Sequence, residues 1–189
     1  RDRPGRVGVS GQTIAAIDPP DDSPARRTLE FPDAILLPGL LDLHAHPACS
    51  GSKHGVDPDR EFLPRGVTTV LSQGDAGADN WANYRDETIR GSRTRVRLAI
   101  SISRLGESTQ RPCLDDPDWL DVDACVEAIT DGGPLIWGIS INCSRASSGS
   151  TDPRLALDRA LQAANSTDRP LLYGLREPDD WPFAEQFDL

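Results

Sequence analysis

The sequence predicts an α/β chain in which parallel strands alternate with helices, and three observations point to it. From residue 34 onward, five short apolar or β-branched runs are separated by segments with helical spacing, an order that builds a parallel sheet with helices outside it. Residues 1–38 have a different texture, with short β segments broken by Pro and Asp. All three histidines, His44, His46 and His54, gather at the end of the first core run.

Taken in order, Arg6 to Ile17 alternates small or apolar residues around Gly11 as a hairpin does, and Asp18 to Pro24 is a turn-rich break. Arg27 to Phe31 reads as a further short strand. Leu40 to Leu43 is a buried parallel strand running straight into His44. Thr68 to Leu71 is the second core strand, ending at Gln73-Gly74-Asp75, and Asn80 to Arg90 is a helix. Val96 to Ser103 alternates strictly as a third strand. Val122, Cys125, Val126 and Ile129 give Asp121 to Thr130 helical spacing. Leu135 to Asn142 is the fourth strand. Asp152-Pro153 opens a helix that runs to about Asn165, with Pro in its first turn. Pro170 to Leu175 is a fifth strand, and Trp181-Pro182-Phe183 should begin the next helix.

Composition narrows the function classes. The 189 residues are 37% hydrophobic, enough for a core, and no apolar run approaches the roughly 18–20 residues that span a bilayer. Acidic residues outnumber basic ones 30 to 20, for a net charge of −10, which argues against a basic nucleic-acid surface. Cytoplasm is the default location. There is no Met, so the chain is expected to be part of a longer product, and Lys53 is the single lysine. Cys49, Cys113, Cys125 and Cys143 lie far apart, without the spacing of a zinc finger or a disulfide framework, and read as free or buried thiols. Asp115-Asp116-Pro117-Asp118 reads as a solvated loop, Asp57 and Asp59 as capping or dipole residues at a helix start, and Trp81 and Trp137 as packing residues.

The chemistry concentrates at His44-Ala45-His46. Residues i and i+2 of a strand share a face, so two imidazoles project together from the strand's C-terminal end, where a β/α barrel keeps its active site. Two such imidazoles can chelate one divalent ion, zinc being the usual choice. Asp42 lies two positions earlier on the same face, and His54, in a loop, reads as a surface residue.

The wider segment Pro38-Gly39-Leu40-Leu41-Asp42-Leu43-His44-Ala45-His46 resembles the amidohydrolase superfamily, metal-dependent hydrolases on a β/α barrel flanked by a small β-sandwich. Gly55-Val56-Asp57-Pro58, Arg65-Gly66-Val67-Thr68-Thr69-Val70, Asp75-Ala76-Gly77-Ala78 and Ser92-Arg93-Thr94-Arg95-Val96 are similar to its dihydroorotase-like deacetylase branch. The resemblance implies a partial (β/α)8 barrel of the TIM type over residues 39–189, with about five of its β/α units, preceded by part of the β-sandwich over residues 1–38. It also implies that a metal-bound hydroxide attacks an amide, lactam or ester carbonyl of a small-molecule substrate. In two-metal members a carboxylated Lys at the end of strand four bridges the ions, histidines of strands five and six hold the second, and an Asp after strand eight shuttles protons. Here Ser140 stands at the Lys position and Gly174 at the strand-five His position.

Two readings therefore stand side by side. In one, a single ion is held by His44, His46 and a replacement such as Cys143, Asp75 or Glu177, with Asp75 lining the site from the end of the second strand. In the other, the barrel is degenerate, holds no metal and serves as a binding or assembly protein. Five strands leave two open sheet edges, so the polypeptide is expected to continue past Leu189, or a second chain, such as another copy, to close the barrel.

Overall fold

A computed structural model describes residues 5–174 of the chain. The chain falls into two compact units, Arg1–Leu36 and Leu37–Leu189.

In the first unit, β1 (Val7–Ser10) and β2 (Thr13–Ile17) pair antiparallel. Gly11 turns the chain between them at φ +61°, where a Cβ would be strained. The Arg6 backbone N–H donates to the Asp18 carboxylate at 2.9 Å and closes the open end of the hairpin. Arg27 to Phe31, expected as a strand, forms none. A strand exists only with a ladder partner, and this stretch has none, leaving Leu29 and Phe31 exposed.

The second unit is a five-stranded parallel sheet in chain order, with β3 (Leu40–Ala45), β4 (Val67–Gln73), β5 (Arg95–Ser101), β6 (Ile136–Asn142) and β7 (Leu171–Gly174) as successive neighbours. Sequential order with every crossover in one direction is the topology of a curled barrel sheet. Its C-terminal strand ends lie along one rim. The core is densest at β5 and β6, where Val96, Leu98, Ile100, Ile136 and Ile139 are at most 1% exposed. Burying each such side chain contributes about 1.5–3 kcal/mol.

The helices are fixed by local chemistry. Asp57 caps α1 (Pro58–Glu61), its carboxylate accepting from the Asp59 and Arg60 N–H groups. Asp59 does more than favour the helix dipole. It accepts from the Arg93 and Thr94 N–H groups and the Thr94 hydroxyl, tying α1 to the start of β5. The helix expected over Asn80 to Arg90 is α2 (Trp81–Tyr84), continued by one wider turn over Arg85–Ile89. Asp121 caps α3 (Val122–Gly132) through the Ala124 N–H. A short α4 (Arg145–Ser148) precedes α5 (Pro153–Thr167), where Asp152 caps and Pro153 occupies the first turn. Ala156, Leu157, Ala160, Ala163 and Ala164 form the buried face of α5, and its four alanines allow a close approach to the core. Trp81 is a packing residue, 3% exposed, with its indole N–H donating to Asp131. Trp137 is not. It lies on the strand face opposite Ser140 and is 44% exposed, because no described residue covers it. The helix expected at Trp181-Pro182-Phe183 lies outside the described residues, as does Leu175.

Candidate active site

A cleft opens at the C-terminal rim of the sheet. It is lined by residues from every core strand or the loop that follows it, including His44, His46, Gln73, Glu107, Ser140, Asn142 and Gly174. Its volume of about 120 Å³ holds a water and a small acyl group, since one water needs roughly 10–15 Å³ by the same measure.

His44 and His46 both reach this cleft, with ring centroids 5.9 Å apart and ring planes at 67°. The β3–β4 pairing is irregular between Asp42 and Ala45, so β3 departs from a straight pleat there. Asp42 consequently turns back on its own strand. Its carboxylate accepts the His44 backbone N–H at 3.0 Å and is not part of the cleft wall.

Asp75 lies behind His46 rather than on the wall. It is fully buried, and its Oδ1 takes the His46 Nδ1 contact at 2.7 Å. The Ser52 hydroxyl donates to the same oxygen at 2.6 Å and the Ser72 hydroxyl to Oδ2 at 2.6 Å. The Nδ1 side of the His46 ring is thus turned to Asp75, where an Nδ1–H would donate to the carboxylate. The loop after β3 and the end of β4 hold the His46 ring from beneath.

Ser140 and Gly174 are both on the wall. The Ser140 hydroxyl donates to Gln73 Oε1 at 3.0 Å, and the Gln73 amide donates to the Leu43 carbonyl at 2.8 Å. A neutral chain of hydrogen bonds therefore spans β3, β4 and β6 where a lysine would stand. Gly174 adds no side chain. Cys143 faces away, 1% exposed, with its S–H toward the Pro153 carbonyl. Burial pushes its thiol up to about 12, which disfavours a thiolate ligand. Glu177 lies outside the described residues. Among the described residues no group of three His, Cys, Asp or Glu side chains is placed to hold a metal ion.

Three residues gain a place that sequence reasoning did not give them. His54, 37% exposed at its side chain, has its ring centroid 5.2 Å from that of His46. Glu107, in the loop after β5, is 8% exposed and is the cleft's only described carboxylate. Lys53 pairs with it at 2.7 Å. Gln73 was findable, since it ends β4 and strand ends carry function in this architecture. Glu107 had no such signal, being a loop residue with no periodic context.

No protein-family model matches the chain. In sequence it is 29% identical over 147 residues to a deacetylase of Agrobacterium fabrum, covering 76% of this chain and 36% of that protein. It is equally similar over the same shares to a deacetylase of Brucella anthropi, and 26% identical over 143 residues to one from Enterococcus faecalis. In structure it matches a dihydroorotase with a TM-score of 0.80 at 26% identity, over 89% of this chain and 45% of that one. An adenine deaminase matches with a TM-score of 0.81 at 23% identity, over 92% and 47%, a likeness of fold. The chain thus spans little more than a third of the curated relatives and under half of the solved structures.

Proposed function

We propose that this chain, similar in sequence to deacetylases and in fold to a dihydroorotase and an adenine deaminase, belongs to the amidohydrolase superfamily and carries part of the catalytic cleft of a small-molecule hydrolase. The bond cleaved is the C–N bond of an amide, cyclic amide or N-acyl group, or an ester. The observation that carries this reading is the placement of His44 and His46 together on the cleft wall, with the second ring held from behind by a buried carboxylate.

Two neighbouring imidazoles suit a zinc-type ion in donor chemistry, but the donor count among the described residues stops at two. His44 and His46 are the residues that would hold one ion, and a bound ion would polarise the acyl carbonyl and activate water. The chain's own contribution is orientation. Asp75 fixes the His46 ring, while Gln73, Ser140 and Asn142 offer neutral donors and acceptors that can align a substrate amide.

A second reading has its own observation. With Ser140 and Gly174 on the wall, the described residues offer no lysine or histidine at the two positions where the resemblance would place them, which suits a barrel that binds without turnover. One experiment separates the two. Metal content of the full native polypeptide is measured by elemental mass spectrometry, and hydrolysis is followed on N-acetyl amino acids and cyclic amides. About one zinc per chain with turnover, both lost in His44→Ala/His46→Ala, supports the hydrolase. Neither metal nor turnover supports the binding protein.

A further inference from the structure

We propose that Leu114 sets the length of the acyl group this cleft accepts, and that the substrate is an open-chain N-acyl or O-acyl compound with a short acyl group. The proposal rests on the hydrolase reading and narrows it to a substrate class.

The side chains at the cleft divide by chemistry. His44, His46, Gln73 and Ser140 are polar and suit a carbonyl and its heteroatom. The alkyl end of an acyl group needs an apolar wall instead. Ile141 and Tyr173 border the cleft, but they pair across β6 and β7 on the strand face opposite Ser140. Cys113 turns its S–H to the Glu107 carboxylate. Leu114 and Leu172 are the apolar side chains that remain among the described residues.

Of these two, Leu114 has the fixed place. It is 1% exposed, and its backbone N–H donates to the Ser147 carbonyl of α4 at 2.8 Å. Its neighbour Asp115 accepts from the Ser150 N–H at 2.8 Å and the Ser150 hydroxyl at 3.0 Å, and pairs with Arg111 at 2.7 Å. Arg111 lies over the Trp119 ring, 5.1 Å from its centroid. Gly149 adopts φ +58°, and a Cβ there would run into the Asp115 carboxylate. Only glycine lets the loop after β6 press this closely on the loop after β5. Leu114 is thus clamped where the two loops meet, whereas Leu172 is half-buried on the last described strand.

Only a wall that does not yield can measure length. A close-packed, clamped side chain excludes an extra methylene, while a loosely held one moves aside. Leu114 has almost no exposed surface of its own, so it fills the space directly beside the cleft. Shortening it joins that space to a cavity of about 120 Å³. A hydrophobic pocket separates substrates that differ by one methylene by roughly 10–200-fold.

The test uses the full native polypeptide and N-acyl amino acids running from acetyl through propionyl to butyryl, with cyclic amides alongside. Variants are Leu114→Ala, Leu114→Val, the volume-conserving Leu114→Met, and Leu172→Ala, each checked for folding by circular dichroism. The parent is expected to prefer acetyl over butyryl by about tenfold or more in kcat/KM. The butyryl-to-acetyl ratio should rise by about tenfold or more in Leu114→Ala and by less in Leu114→Val. It should stay within about threefold of the parent in Leu114→Met and Leu172→Ala. A role in folding alone would lower all acyl lengths together and leave the ratio unmoved. That result in the folded Leu114 variants overturns the proposal, as does a parent that takes all lengths alike. A ratio that moves in Leu172→Ala but not in Leu114→Ala puts the acyl chain on β7 and overturns it too. Turnover of cyclic amides alone overturns the proposal as well, and in each of these cases the hydrolase reading stands. A parent with no turnover on any substrate removes both.

Discussion

Replacing Asp75 by Ala tests the buried support beneath His46. The fully buried carboxylate accepts from Ser52 Oγ, Ser72 Oγ and His46 Nδ1, at 2.6, 2.6 and 2.7 Å. Hydrogen bonds to a charged group contribute about 1.5–3 kcal/mol each, and relief from burying the carboxylate offsets part of the sum. A net loss on the order of 3–5 kcal/mol is expected, as for removal of one partner from a buried charged network. That is a large share of the roughly 5–15 kcal/mol of a typical domain and corresponds to a fall in Tm of roughly 6–20 °C. Asp75→Asn keeps the shape, with its carbonyl placed to accept from His46 and its amide to donate to Ser72, and costs about 1–2 kcal/mol. Urea and thermal unfolding followed by circular dichroism give both values. Nitrogen chemical shifts of His46 report the tautomer, which is Nδ1-protonated in the parent and mixed in Asp75→Ala. A loss below about 1 kcal/mol in Asp75→Ala, or an unchanged tautomer, refutes the reasoning.

Three further outcomes are expected. Burial pushes the thiols of Cys113, Cys125 and Cys143 up to about 12 while Cys49 is exposed, so a thiol-specific disulfide reagent at pH 8 should label one cysteine quickly in the native chain and all four in denaturant. Two or more fast native thiols would contradict the packing. The Asp115 carboxyl is held down to about 2, first by the Ser150 N–H and then by Arg111 and the Ser150 hydroxyl. A depressed carboxyl stabilises the fold above its unfolded value of about 4, and that contribution disappears as pH falls through about 2; Asp115→Asn should flatten acid unfolding in that window, measured by fluorescence. Gly77→Ala would drive a Cβ into the Ser103 carbonyl oxygen, and backbone cannot yield as a flexible side chain can. A loss of about 1–3 kcal/mol or more is expected in urea unfolding, and an unchanged midpoint would show that the loops after β4 and β5 pack differently.

The core strands and the two long helices were legible in the sequence because each is written in a local code. The alternation of Val96 to Ser103 fixes β5, and Asp121 and Asp152 mark the starts of α3 and α5 with a side chain that satisfies an orphan N–H. The stretch from Arg27 to Phe31 had the β-branched and aromatic content of a strand but no partner, and pairing is a tertiary property. At the site, sequence alone determined that His44 and His46 share a strand end, since a two-residue spacing carries its own geometry. It could not determine that Asp75 would stand beneath His46, 29 residues away, or that Lys53 and Glu107 would meet from the loops of β3 and β5. Those meetings depend on the parallel register of β3, β4 and β5, which brings three strand ends to one rim. Only the folded sheet decides which loops touch, and the loops, having no period of their own, carry no signal of it beforehand.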